Sequence, residues 1–329
     1  MSIRVGRLAI ALPILGWLLF GWVTWFAVTS GWRETTGGVR LVDWHVYFAG
    51  ARDLANRDLY RHALALDGLV LSSPVFNLPP LAAAWALPLL PMPIDLGGQV
   101  WQLIAAGCVA LAVVASLRMF EIPTRVLWAG LVLGPLSLTL LYLEGLHLGT
   151  NNYLVLALVA GVAWAYLAGH DRTAGLLLAL AVGTKLWPIV IAVPAFRDRR
   201  WRTLGWLGIG LAIQGIAVLV WLGPDFPGDF LAALAVQIPP TGLLFGPTAD
   251  PVLREAWNRG LGVILAAVLL ILPVRGRAGL GLAIIAGLAP IANLWLTYGL
   301  TILLAVSLVG AGLLRRSWPL RRAAGIGQD

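Results

Sequence analysis

The residues best equipped for chemistry lie in a polar stretch between residues 30 and 97, which holds Asp43-x-x-x-Tyr47, Leu59-Tyr60 and Phe76-Asn77-Leu78-Pro79-Pro80. Asp43 comes a few residues after the first apolar run, close to where a membrane surface would lie. A carboxylate so placed can accept the proton of an attacking hydroxyl as a general base. It can equally be a solvated loop acid, or the ion-pair partner of Arg40 or His45, because structural pairs also hold loop carboxylates.

A second candidate is Lys185, the only lysine in the chain. It interrupts an apolar run together with Pro188, whose missing N–H removes a helical hydrogen bond. Ionisable groups at membrane depth are costly and mark a functional or paired site. An ammonium at a broken helix can bind a phosphate; the alternative is a side chain that snorkels to the headgroups. A third cluster, Glu144, His147 and Gly149-Thr150-Asn151-Asn152, forms a polar knot between two apolar runs. Its amides can bind sugar hydroxyls or cap the helix that starts near Asn152. Asp225, Asp229 and Asp250 belong to a Pro/Gly-rich loop and read as solvated acids. HExxH, paired CxxC, Walker and GxSxG motifs are absent, so zincin, P-loop and serine-hydrolase chemistries have no support.

The elements that must position these groups are membrane helices. Of the 329 residues 60% are hydrophobic and 12% charged, where a soluble domain carries about 25% charge. Mean hydropathy is +0.87. The apolar residues cluster in uninterrupted, non-alternating runs, which excludes a β-barrel pattern and suits helices that satisfy their own backbone bonds in lipid. The runs predict spans at roughly 8–29, 98–117, 126–143, 152–168, 174–196, 204–222, 260–274, 278–290 and 293–313. With 174–196 read as two short helices meeting at Lys185, about ten membrane helices result. The first run follows Arg4 and Arg7, is long enough to span, and lacks a small-x-small cleavage site. The stretch Leu81–Leu90 is too short to cross and reads as a helix lying in the interface. Cys108 lies inside an apolar run and reads as a small buried hydrophobe.

Charge orients this arrangement. With the N-terminus inside, the inner segments hold fifteen arginines against four acids, and the outer segments seven arginines against eleven acids. That is the asymmetry of the positive-inside rule, and it accounts for the net charge of +8 without a nucleic-acid partner. Both termini are then inside, while the 30–97 and 223–259 loops face outside. The whole reads as one all-α transmembrane domain over residues 1–329.

The order of these motifs resembles the polyprenol-phosphate-mannose-dependent glycosyltransferases of family 87, within the GT-C superfamily. The resemblance runs from Asp43-x-x-x-Tyr47 through Leu59-Tyr60, Phe76-Asn77-Leu78-Pro79-Pro80 with Pro88, and Gly149-Thr150-Asn151-Asn152. It continues in Ala174-Gly175, Lys185-x-x-Pro188 and Arg199-Arg200-Trp201-Arg202, with an echo at Pro290, Trp295 and Tyr298. The chain departs from the family's Gly-Gln-x-Asn at Thr150, from its Phe-x-Tyr at Leu78, and from a His near the last helix. The resemblance implies a GT-C-type fold with a long first external loop containing juxtamembrane helices, and Asp43 as catalytic base. It implies inverting transfer of a sugar, most simply mannose, from a polyprenyl phosphate to a lipid or glycan acceptor outside the cell membrane. Lys185, with Arg40 or Arg52, would hold the donor phosphate. His45, Tyr47, Tyr60, Asn77, His147, Asn151 and Asn152 would line the substrate. Membrane lipids are the other expected partners; no cofactor, metal or nucleotide is expected. The rival reading is a non-enzymatic lipid or sugar transporter or flippase, which should show repeated halves with breaks at corresponding positions; the sequence offers one broken segment and one asymmetric loop.

Overall fold

The computed structural model describes residues 2–31, 41–61, 76–120, 125–235, 264–265, 267–272, 274–288 and 298–323. Among them there are no strands. The first helix, α1 (Ser2–Phe26), runs into a π-type turn at Ala27–Gly31. The polar stretch supplies α2 (Val42–Ala55), α3 (Pro80–Ala84) and a 3-10 turn, Leu87–Leu89. Then come α4 (Ile94–Met119), α5 (Arg125–Ser137), α6 (Leu140–Leu148), α7 (Asn152–Leu167) and α8 (Asp171–Thr184). A 3-10 turn at Trp187–Ile191 leads to α9 (Ala192–Arg197), α10 (Trp201–Leu222) and α11 (Phe226–Ala235). The described chain closes with α12 (Gly276–Leu288) and α13 (Gly299–Ala323).

Among the described residues three helices are long and apolar enough to cross a membrane: Ile10–Thr29, Ile94–Met119 and Trp201–Leu222. The central position belongs to α7, packed between α4 and α8. Its Tyr153, Val159, Ala160 and Ala165 are fully enclosed. By contrast, α10 touches α8 along one side and leaves Ile213, Ile216 and Val220 on its open face. Such a face is what hydrocarbon, rather than protein, would cover.

Two expected boundaries move. The span expected at 126–143 is a bent pair, α5 and α6, turned by 79° at the break. Pro135 withholds an N–H near the end of α5. The hydroxyls of Ser137 and Thr139 then bond back to Gly134 O and Leu136 O, both at 2.7 Å, and the next helix starts afresh at Leu140. The described residues therefore hold two breaks where the sequence reading placed one. The helix expected from residue 98 begins at Ile94 instead: Pro93, extended at φ −52° and ψ 140°, stands before its first turn. Asp95 in that turn suits the positive end of the helix dipole.

Helices α1 and α5 cross with backbones nearly touching. A Cβ on Gly130 would lie 2.0 Å from Pro13 O, and one on Gly16 2.0 Å from Gly130 O. Both contacts involve main-chain atoms that cannot swing aside. Gly130→Ala should thus force the helices apart and lower stability by about 1–3 kcal/mol, the usual cost of overpacking. Gly208→Ala, on α10 with nothing within 4 Å, should leave stability equal or slightly higher through helix propensity. Thermal unfolding of the two purified variants in the same detergent checks the contrast.

Candidate active site

The site forms where α2 meets the α6–α7 junction and the broken end of α8. Helix α2 starts at Leu41, whose backbone takes the left-handed conformation at φ 60°. Leu41 N–H donates to His147 O at 2.8 Å, tying the start of α2 to the last turn of α6. Gly149 ends α6 at φ 68°, and a Cβ there would sit 2.8 Å from Trp44 Cβ. Only glycine permits both the turn and the approach. Trp44 stacks on Trp101 of α4 with centroids 5.7 Å apart. The two indoles donate to Ile94 O (3.0 Å) and Gly149 O (2.8 Å), and Gln102 donates to Leu146 O (2.6 Å). These bonds fix the 149–152 junction against α2 and α4.

Onto this frame Asp43 and Tyr47 project from successive turns of α2. Asp43, half-buried, accepts a hydrogen bond from the Thr150 hydroxyl and lies within electrostatic reach of Lys185 and Glu144. Burial raises its carboxyl above the usual range. Lys185 and Thr150 pull it back, and Glu144 adds to the rise. Tyr47 is buried, and its hydroxyl accepts the Asn151 N–H at 3.3 Å. Burial, reinforced by Asp43, pushes this phenol well above its ordinary value, so it stays neutral with a proton to donate.

Lys185 approaches from α8. Its backbone leaves the helix in an extended conformation, φ −146° and ψ 139°. The ammonium donates to Asn152 Oδ1 at 2.5 Å and to the Tyr298 hydroxyl at 3.0 Å, and stands 5.1 Å from the Tyr298 ring centroid. Both hydrogen-bond partners are neutral, so neither cancels the positive charge. Beside them the Asn151 side chain is completely buried, and neither its carbonyl nor its amide has a partner among the described residues.

The structure thus gathers Asp43, Tyr47, Asn151, Asn152 and Lys185 around one junction. His147 joins through its carbonyl. His45 is buried two residues beyond Asp43, where burial lowers its imidazole pKa against a smaller opposing pull from Asp95. Other candidates sit elsewhere. Arg52 is exposed in the last turn of α2, about 13 Å along the helix from Asp43 at 1.5 Å per residue. Tyr60 packs among Phe76, Phe226 and Phe230 with its hydroxyl donated to Leu78 O. Asn77 is half-buried in the turn before Pro79. Arg40, Pro290 and Trp295 lie outside the described residues. Thr150 stands in the junction motif and Tyr298 in the distant echo near the last helix, and neither carries a local signal that names its partner. No three His, Cys, Asp or Glu side chains come together as a metal site among the described residues.

Chemically, a carboxylate with a raised pKa faces an ammonium across a wall of amides and hydroxyls. One can take a proton, the other can hold an anion, and the wall can orient a polyhydroxylated molecule between them.

Comparison with known proteins bears on this arrangement. The family model described as glycosyltransferase family 87 matches residues 76–326, a stretch that includes the junction and Lys185 and begins after Asp43. Two relatives are polyprenol-phosphate-mannose-dependent alpha-(1-2)-phosphatidylinositol pentamannoside mannosyltransferases. The one from Mycolicibacterium smegmatis is 29% identical over 238 residues, 69% of this chain and 53% of its own length. The one from Mycobacterium tuberculosis is 30% identical over 193 residues, 56% of this chain and 42% of its own. The chain therefore spans about half the length of the curated relatives it matches. No solved structure matches it. With its apolar helices and a match over most of its length, this chain belongs to glycosyltransferase family 87.

Proposed function

We propose that this protein is a multi-pass membrane glycosyltransferase that moves a sugar, mannose in the first instance, from a polyprenyl phosphate to a hydroxyl of a lipid or glycan acceptor outside the cell membrane. About ten spans place the 30–97 loop and its catalytic groups on the outer face. The observation that carries the reading is the joint placement of Asp43 and Lys185 at one junction rich in hydrogen-bonding side chains. Family membership and the relatives' names support the donor class.

In the proposed step Asp43 accepts the acceptor's O–H proton as its oxygen attacks the anomeric carbon from the face opposite the phosphate. The carbon–oxygen bond to phosphate breaks, its electron pair stays on the phosphate oxygen, and configuration inverts. The donor's phosphodiester carries one negative charge and the released polyprenyl phosphate approaches two. An ammonium beside that oxygen therefore stabilises the transition state more than the ground state. Lys185 serves here because its neutral partners orient the charge without cancelling it. Thr150 and Tyr47 orient the carboxylate and the junction. Two broken helices bring the chain closer to a transporter's pattern than its sequence suggests, but they are unlike each other: one is bent by 79°, the other opens into a 3-10 turn.

Sugar transfer by purified protein from a labelled polyprenyl-phosphate mannose separates the two classes, since a transporter gives no product. Asp43→Asn should lower transfer by about 10²–10⁴, the worth of general-base assistance. Asp58→Asn, in the turn after α2 and away from the junction, should retain most activity. Near-normal transfer by Asp43→Asn would remove the base assignment.

The pH profile gives a separate check. The reactive form of Asp43 is ionised, and burial raises its pKa. The rate should therefore rise with pH through a value above the ordinary carboxylate range near 4, then level off. A rate already at its plateau at pH 4 would contradict the buried-base account.

A further inference from the structure

Far from the junction, the starts of α8 and α10 meet the end of α9 among many charges. Asp171 accepts from Arg200 at 3.3 Å and from Thr203 at 2.8 Å. Arg200 also bonds Tyr166 O at 2.7 Å and stacks 4.1 Å over that ring. Asp198 accepts from Tyr166 at 2.8 Å and Arg197 at 3.2 Å, with Arg275 at 3.8 Å. Both carboxylates of this corner are thus engaged.

Arg172, Arg199 and Arg202 are left over: all three are exposed, and none has a carboxylate within 4.0 Å among the described residues. Arg172 and Arg202 stand in the first turns of α8 and α10. Arg172 stacks 4.6 Å over Trp206. Arg202 lies one turn before Trp206 on α10, hence on the same face. The helices touch here: a Cβ on Gly175 would fall 2.4 Å from Thr203 O and 2.7 Å from Trp206 Cβ. One guanidinium therefore covers the indole, and a second arginine stands one turn earlier on the same helix face. The same face of α10 continues through Ile209, Ile213 and Val220, which are 46%, 62% and 79% exposed. Read along the helix, this surface passes from cations through an interfacial indole to bare hydrocarbon.

The geometry points to a docking surface for one anionic phospholipid. Arg172 and Arg202 bind its phosphodiester, Trp206 packs at the level of the glycerol, and an acyl chain lies along Ile209, Ile213 and Val220. Guanidinium forks suit phosphate oxygens, and Trp is favoured at membrane interfaces. The continuous apolar stripe selects a lipid over free phosphate, which would use the two cations alone. The inference is independent of sugar transfer and needs only that α10 cross the bilayer.

Native mass spectrometry of the full chain with phosphatidylglycerol or phosphatidylcholine tests it. Wild type should hold one phosphatidylglycerol about tenfold or more tightly than phosphatidylcholine, given roughly one charge interaction per arginine. Arg172→Gln with Arg202→Gln should abolish the preference, whereas Arg118→Gln with Arg199→Gln, removing equal charge at exposed positions that are not part of this docking surface, should keep it. Ile213→Gln, which leaves both arginines and the α8–α10 contact in place, should weaken retention of the lipid and covers the case in which the arginine pair does not fold. Equal loss in both arginine pairs, full retention by Ile213→Gln, or displacement by millimolar inorganic phosphate would each overturn the proposal.

Discussion

A carboxylate and an ammonium held away from bulk water each lose solvation worth several kcal/mol, and the polar junction between α6 and α7 answers that loss. Thr150 reaches Asp43, Asn152 reaches Lys185, and each charge lies in the field of the other. Three chain segments distant in sequence must meet within a few ångströms for this to work. The tight turn at Gly149, the Trp44–Trp101 stack and the bond from Leu41 to His147 are the devices that bring them there.

The same requirement explains where helices stop. An uninterrupted helix through 174–196 would carry Lys185 past the junction with its backbone fully bonded. Breaking it at Lys185 turns the ammonium towards Asn152 and Tyr298, while Trp85 of the polar stretch donates to Thr184 at 2.9 Å and holds the helix end in place. The buried carboxamide of Asn151, without a partner among the described residues, costs on the order of 1–3 kcal/mol per unsatisfied group. Under the proposed function a bound sugar hydroxyl supplies the missing bonds, so binding recovers what folding left unsatisfied.

The helical class and the major apolar runs were legible in the sequence because hydropathy in lipid is a strong constraint. Asp43 could be picked out as a candidate from its place in the polar stretch, and Lys185 and the 149–152 motif as polar exceptions in apolar surroundings. The bend at residues 137–140 was not legible, since Pro135 near a helix end is tolerated in many membrane helices, and the decisive hydroxyl-to-carbonyl bonds of Ser137 and Thr139 appear only in the fold. Tyr60 reads like a site residue by motif, yet its neighbours Phe226 and Phe230 lie far along the chain. Tyr298 pairs with a lysine 113 residues away, a contact that no local spacing encodes.

Whether Asp43 and Lys185 act on one reacting molecule is measured directly by a double-mutant cycle in purified protein. Transfer rates of Asp43→Asn, Lys185→Met and the double variant should be compared at saturating acceptor and donor. Groups that serve one transition state are strongly non-additive, so the double variant should be scarcely worse than the poorer single. Losses that simply multiply would mean that the two residues act separately and would contradict the account.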